Sequence, residues 1–214
     1  MTTLVNLNTV KVGGLINPPR YLESYYEATR ILMENDRVDS LAMPILYLQR
    51  HTIELLLKEL LNGAQSVIEM KQQIQQAKRQ TLMRYRKKGI KGHDLKTLLS
   101  DAEAALVALE WPVPIPGLGE LVKRFDDIEQ GDETRWRYAT LKDSKPSMPC
   151  GLSEYVELPI YEIQQRLNKI AKEEQIGSSY EDVMKADIIS SYRWSLALTE
   201  QQLLQEHYSL GIPL

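Results

Sequence analysis

One segment constrains the chain more than any other: Pro44-Ile45-Leu46-Tyr47-Leu48-Gln49-Arg50-His51-Thr52-Ile53-Glu54-Leu55-Leu56-Leu57-Lys58-Glu59-Leu60-Leu61. At about 100° per residue, Tyr47, Arg50, His51, Glu54 and Lys58 share a helical sector roughly 100° wide, while Ile45, Leu48, Ile53, Leu55, Leu56, Leu57 and Leu60 cover most of the rest. A helix apolar over so much of its circumference belongs at the centre of a fold, with other helices around it. Its charged stripe must then be paired internally or line a cleft, because an unpaired buried charge costs roughly several kcal/mol. The stripe is either a structural ion network or a site.

Helical periodicity supplies the surrounding elements. Residues 1–17 read as an extended arm, and Pro18-Pro19 opens a helix over 19–36 whose buried face is Leu22, Tyr25, Tyr26, Thr29, Leu32 and Met33. Asp39-Ser40 read as caps for the central helix over 41–62, with Pro44 tolerated near its first turn. Gly63 either breaks this helix or lets it run on through a Gln-rich stretch, 65–88, whose sparse apolar residues suit a projecting helix or one lying on a partner. A loop at Gly89–Gly92, a helix from Asp94 to Leu109, a proline-rich connector at 111–117, a short helix over 118–130 and an irregular stretch over 131–154 follow. Two more helices, 157–175 and 179–208, complete an all-α bundle of about five to seven helices, with 18–214 as one domain and 65–92 as its projecting helix and loop. The last helix carries more apolar surface than a surface helix needs, which suits closing the core, a homodimer interface or a place in a larger protein assembly.

Composition narrows the class. A chain of 214 residues with 43% apolar and 26% charged residues can bury a core and remain soluble. The net charge of −3 argues against a protein that coats nucleic acid, yet Lys71, Lys78, Arg79, Arg84, Arg86, Lys87, Lys88, Lys91 and Lys96 face one acid, Asp94, within a single block. That block is either a solvated helix end or a surface for phosphate or an acidic partner. A lone cysteine, Cys150, excludes an internal disulfide and a cysteine-built zinc site, and three scattered histidines do not make a zinc site either. With no signal-peptide pattern and no apolar run near the roughly 18 residues that span a bilayer, the chain is expected to be cytoplasmic, off the membrane and free of metal and cofactor.

Three pieces stand in a telling order: Tyr47-Leu48-Gln49-Arg50-His51-Thr52-Ile53-Glu54-Leu55-Leu56-Leu57-Lys58, then Gly92-His93-Asp94-Leu95-Lys96-Thr97-Leu98-Leu99, then Asp126 to Asp132 followed by Arg135-Trp136-Arg137-Tyr138. Across about residues 40–175 they resemble the HEPN-like helical proteins, with an RHxxELxLK … GHDLxxL … RY pattern. The resemblance implies a helical bundle, commonly dimeric, of bacterial defence or toxin–antitoxin systems, in which many members are metal-independent ribonucleases. The family's nucleolytic signature is Arg, four to six residues, then His, usually with Asn, Asp or His after the Arg. The match here, Arg86 to His93, crosses the expected loop and has Lys87 after the arginine.

Metal-independent RNA cleavage needs a base for the 2′-OH proton, an acid for the leaving oxygen and cations for the phosphorane. His93 or His51 suits the proton transfers, and Arg50, Arg86 or Arg137 the charge stabilisation. Lys87, Lys88, Lys91 and Arg137 would bind RNA, with Trp136 and Tyr138 as stacking surfaces or hydrophobic pins. The competing reading is structural: Glu54 pairs with Arg50 and Lys58 at i,i+4, Arg137 pairs with Glu54 or Asp94, and Asp94 caps the third helix with His93 packed beside it. The chain is then a non-catalytic interaction or sensor subunit of a larger complex. His207, isolated near the C-terminus, is expected to be exposed.

Overall fold

The computed structural model describes residues 20–80, 92–113, 117–129, 158–177 and 192–212, together with Leu82, Met83, Tyr85, Arg86, Gly89 and Ile90. The expected N-terminal arm lies outside these residues. Six α-helices and no strand occur among them: α1 (Arg20–Met33), α2 (Ala42–Ala77), α3 (Leu95–Ala108), α4 (Leu118–Glu129), α5 (Ile160–Glu173) and α6 (Tyr192–Ser209). The all-α bundle expected from periodicity is what forms.

α2 is the axis. Its 36 residues span about 54 Å at 1.5 Å per residue, and α1, α3, α5 and α6 all lie against it. α4 closes the far side by packing on α3 and α5. Ile53, Leu56, Leu57, Leu60 and Leu61 of α2 are fully enclosed with Leu98 of α3, Phe125 of α4 and Leu167 of α5. Burying each such side chain contributes roughly 1.5–3 kcal/mol, which is why the apolar circumference of α2 dictates a surrounded helix.

The structure decides one alternative that the sequence left open and corrects two expectations. Gly63 does not break α2: the helix continues to Ala77, and Val67, Ile68 and Ile74 of the Gln-rich stretch are buried. Gly63 instead lets α6 approach, since a Cβ there would meet Leu196 Cδ1 at 3.2 Å. The stretch therefore lies along α6 rather than standing free, with Ser66 donating to Glu200 at 2.6 Å. Asp39 and Ser40 do not cap α2. They sit in a 3-10 turn, Val38–Leu41, that leads directly into it, and the Ser40 hydroxyl donates to the Arg37 carbonyl at 2.9 Å. His207 is not exposed: it is 1% accessible under the extended end of α2, its Nε2 bonded to Gln73 Oε1 at 2.8 Å.

Candidate functional site

The polar stripe of α2 meets the start of α3 and the end of α4. Arg50 and Glu54 are each 1% exposed. Every nitrogen of the Arg50 guanidinium donates: Nη1 to Glu54 Oε2 at 2.9 Å, Nη2 to the His93 carbonyl at 2.8 Å, and Nε to Glu129 Oε1. Glu54 spends its second oxygen on two further donors, Lys58 Nζ at 2.9 Å and His93 Nδ1 at 2.6 Å. The i,i+4 spacing puts Arg50, Glu54 and Lys58 one above the other on a single face. Among the described residues, two cations, Arg50 and Lys58, thus meet two carboxylates, Glu54 and Glu129.

Burial by itself raises the Glu54 pKa, but its contacts with His51, Lys58 and His93 outweigh this and hold the carboxyl far below the usual range. Glu54 is therefore an anion in the folded protein, fixed in place by groups from two helices.

His93 stands at the edge of this network, its side chain 46% exposed. It lies just before α3, where Gly92 takes φ +84°, a left-handed conformation that glycine adopts freely. Asp94 then caps α3, accepting from the Lys96 and Thr97 amides at 3.3 and 3.0 Å. The cap fixes the backbone direction and so aims the ring of the preceding residue. With Nδ1–H donating to Glu54, the neutral imidazole presents Nε2 as an acceptor. This is an imidazole oriented by a buried carboxylate, able to take up a proton from a substrate hydroxyl.

The other expected residues fall elsewhere. His51 lies inward, stacked on Tyr47 at 5.8 Å and meeting the Tyr25 edge at 4.5 Å. Its Nδ1 is 3.9 Å from Glu54 Oε2, beyond hydrogen-bond reach, and is buried without a hydrogen-bond partner. Arg86 is exposed on the connection between α2 and α3. Two cations of the basic block have acids of their own: Lys78 pairs with Glu206 and Lys96 with Asp126. Lys87, Lys88, Lys91, Arg137, Trp136 and Tyr138 lie outside the described residues.

Sequence reading missed Glu129 as a partner of Arg50. The acid-rich end of α4 is visible in the sequence, but Asp126, Asp127 and Glu129 look alike there, and only the placement of α4 selects Glu129. It also missed a second polar centre around Arg193, which reaches Glu23 at 2.9 Å and Glu59 at 2.8 Å and lies beside a buried acid, Glu174. Arg193, Glu59 and Lys58 line a cleft of about 610 Å³ between α2 and α6. Among the described residues, no group of three or more His, Cys, Asp or Glu side chains is placed to hold a metal ion, and no helix is long and apolar enough to cross a membrane.

Compared with protein-family models, with characterised proteins and with solved structures, the chain matches none.

Proposed function

We propose that the protein is a HEPN-like helical protein of a bacterial defence or toxin–antitoxin type that acts as a metal-independent ribonuclease, as a homodimer. The observation that carries this reading is the Glu54–His93 pair: a buried carboxylate 2.6 Å from Nδ1 of a half-exposed imidazole. In the proposed reaction His93 Nε2 takes the proton of an RNA 2′-OH, and the oxygen attacks the adjacent phosphorus. The P–O5′ bond breaks, leaving a 2′,3′-cyclic phosphate and, after proton delivery, a 5′-OH. Glu54 orients the ring and stabilises the imidazolium that forms. A second protomer would bring a second His93 to protonate the leaving oxygen.

The test is incubation of purified protein with total RNA in EDTA, beside His93→Ala. Cleavage is expected without metal and is expected to vanish in the variant. The fold should survive, because Arg50 bonds to the backbone carbonyl of residue 93, which alanine retains. The lost contact is half-exposed and is worth about 1 kcal/mol or less. Cleavage that persists in His93→Ala, or that EDTA abolishes, removes the mechanism.

One observation favours a second reading, that of a non-catalytic interaction subunit. Arg50 is enclosed and all three of its nitrogens are engaged within the protein, so it offers nothing to a phosphate. No cleavage of any RNA, together with a large loss of stability in His93→Ala, would favour that reading.

A further inference from the structure

The centre around Arg193 has an arithmetic that the Arg50 network lacks. One guanidinium serves two carboxylates, with a third close by. Its Nη2 reaches Glu23 Oε1 of α1 at 2.9 Å and Glu59 Oε1 of α2 at 2.8 Å, and its Nε reaches the same Glu59 oxygen at 2.9 Å. Glu174, at the C-terminal end of α5, receives no side-chain hydrogen bond from it. Its carboxylate accepts from the Arg193 backbone N–H at 3.3 Å, and only its main-chain carbonyl faces Nη1, at 3.5 Å. Glu174 is nevertheless 1% exposed. It is a buried acid held against the first turn of α6, with its nearest cation already committed to two other acids.

Among the described residues, the remaining groups around it supply no further countercharge. Glu173 of α5 adds like charge, and Tyr192 of α6 lends its backbone N–H. On α1, Tyr26 lies beside the chain just beyond Glu174, its ring 3.8 Å from where a Cβ on Gly177 would stand. Glu23 Oε2 is itself buried without a hydrogen-bond partner, so the cluster is short of protons as well as of positive charge. With all three acids ionised it would carry two uncompensated negative charges where α1, α2, α5 and α6 converge.

We infer that Glu174 and Arg193 form a proton-operated latch, in which uptake of one proton by Glu174 holds the N-terminal turn of α6 onto the bundle and its loss loosens that turn. Burial pushes the Glu174 carboxyl up to about 7, against the pull of the Arg193 amide and guanidinium, so the latch works near neutral pH. In a released α6 the side chain is solvated and returns to the ordinary value of 4.5. The closed form thus binds more protons between these two values, and closure weakens about tenfold per pH unit as pH rises through that window. Below it the latch is fully closed, and above about 7 the loss is complete and levels off. Release of the turn would lift Arg193, Leu196 and Ala197 from the cleft over Leu55, Lys58 and Glu59.

The experiment is amide hydrogen exchange on the full chain from pH 5 to 9, corrected for the intrinsic pH dependence of exchange. Protection of the first turns of α6 is expected to fall roughly fortyfold between pH 5 and 7 and then to flatten. Amides of α3 should show no such window. Glu174→Gln, uncharged at every pH, is expected to abolish the dependence in α6. A flat α6 profile in the native protein, or an unchanged slope in the variant, would overturn the latch. If the variant does not fold, a carbon-13 titration of the Glu174 carboxyl in the native chain decides the matter: a midpoint near 7 supports the latch and one between 4 and 5 ends it.

Discussion

At Glu54 two large effects oppose one another, and their outcome decides what the residue does. Enclosure disfavours its charge; His51, Lys58 and His93 favour it and win. Because the folded pKa lies below the unfolded value, the associated stability is fully present above about 4.5 and is lost as pH falls below it. Denaturation measured at pH 7, 5 and 3 should therefore show a steep acid limb that flattens in Glu54→Gln. An acid limb unchanged by that substitution would place the proton uptake elsewhere. Glu54→Ala goes further, because it removes the carboxylate that the enclosed Arg50, Lys58 and His93 share. The expected loss is about 3–5 kcal/mol at pH 7, read from a urea midpoint, and a change within 0.5 kcal/mol or so would mean that water reaches the stripe. The pairing of Arg50, Glu54 and Lys58 was legible from their spacing alone, and so was the capping role of Asp94. Glu129 was not, because nothing local distinguishes it from its acidic neighbours.

Helix ends show why boundaries were harder to read than helices. α2, α3 and α5 all stop in the same way: the residue after the C-cap turns left-handed, at Arg79 (φ 53°), Glu110 (φ 61°) and Gln175 (φ 55°). In each case the next amide reaches back five residues, from Gln80 to Gln75, Trp111 to Leu106 and Ile176 to Ala171, at 2.7–3.0 Å. This is the Schellman closure, which satisfies the last carbonyls of a helix and normally announces itself with glycine. Among the described helix ends, α6 follows the usual rule, with Gly211 at φ 67°. The three non-glycine residues accept a strain of roughly 1 kcal/mol each. Glu110 is exposed, so Glu110→Gly should relieve the strain without removing packing and raise stability by up to about 1 kcal/mol, less the extra chain entropy of glycine. Thermal or urea unfolding would show it, and a loss of stability would mean that the Glu110 side chain contributes a contact. Gly63 makes the complementary point. The glycine at which the sequence left both a break and a continuation open lies mid-helix, where the nearness of Leu196 explains it.

For the whole molecule, the open matter is what else it touches. α6 turns Leu196 and His207 inward and leaves Leu198 and Tyr208 exposed, with Leu210 just beyond its end. In the dimer proposed above, this face is the expected contact. Light scattering at micromolar concentration should give about twice the chain mass of 24.6 kDa, and charge introduced by Leu198→Asp should return the monomer. A monomer mass for the native chain would remove the composite catalytic site along with the interface.

The sequence alone determined that α2 would be central, because a helix apolar on most of its faces has no stable place at a surface. It determined the all-helical class, the i,i+4 ion pairs and the α3 cap for the same reason: each depends on residues within a turn or two of one another. Tertiary structure decided everything that joins distant segments. It chose Glu129 for Arg50, put the Glu54 carboxylate against His93, buried His207 beneath the end of α2 and gathered three carboxylates around Arg193. Those pairings are set by how helices pack against one another, and a charge's burial, which fixes its pKa and its chemistry, exists only once the helices have met.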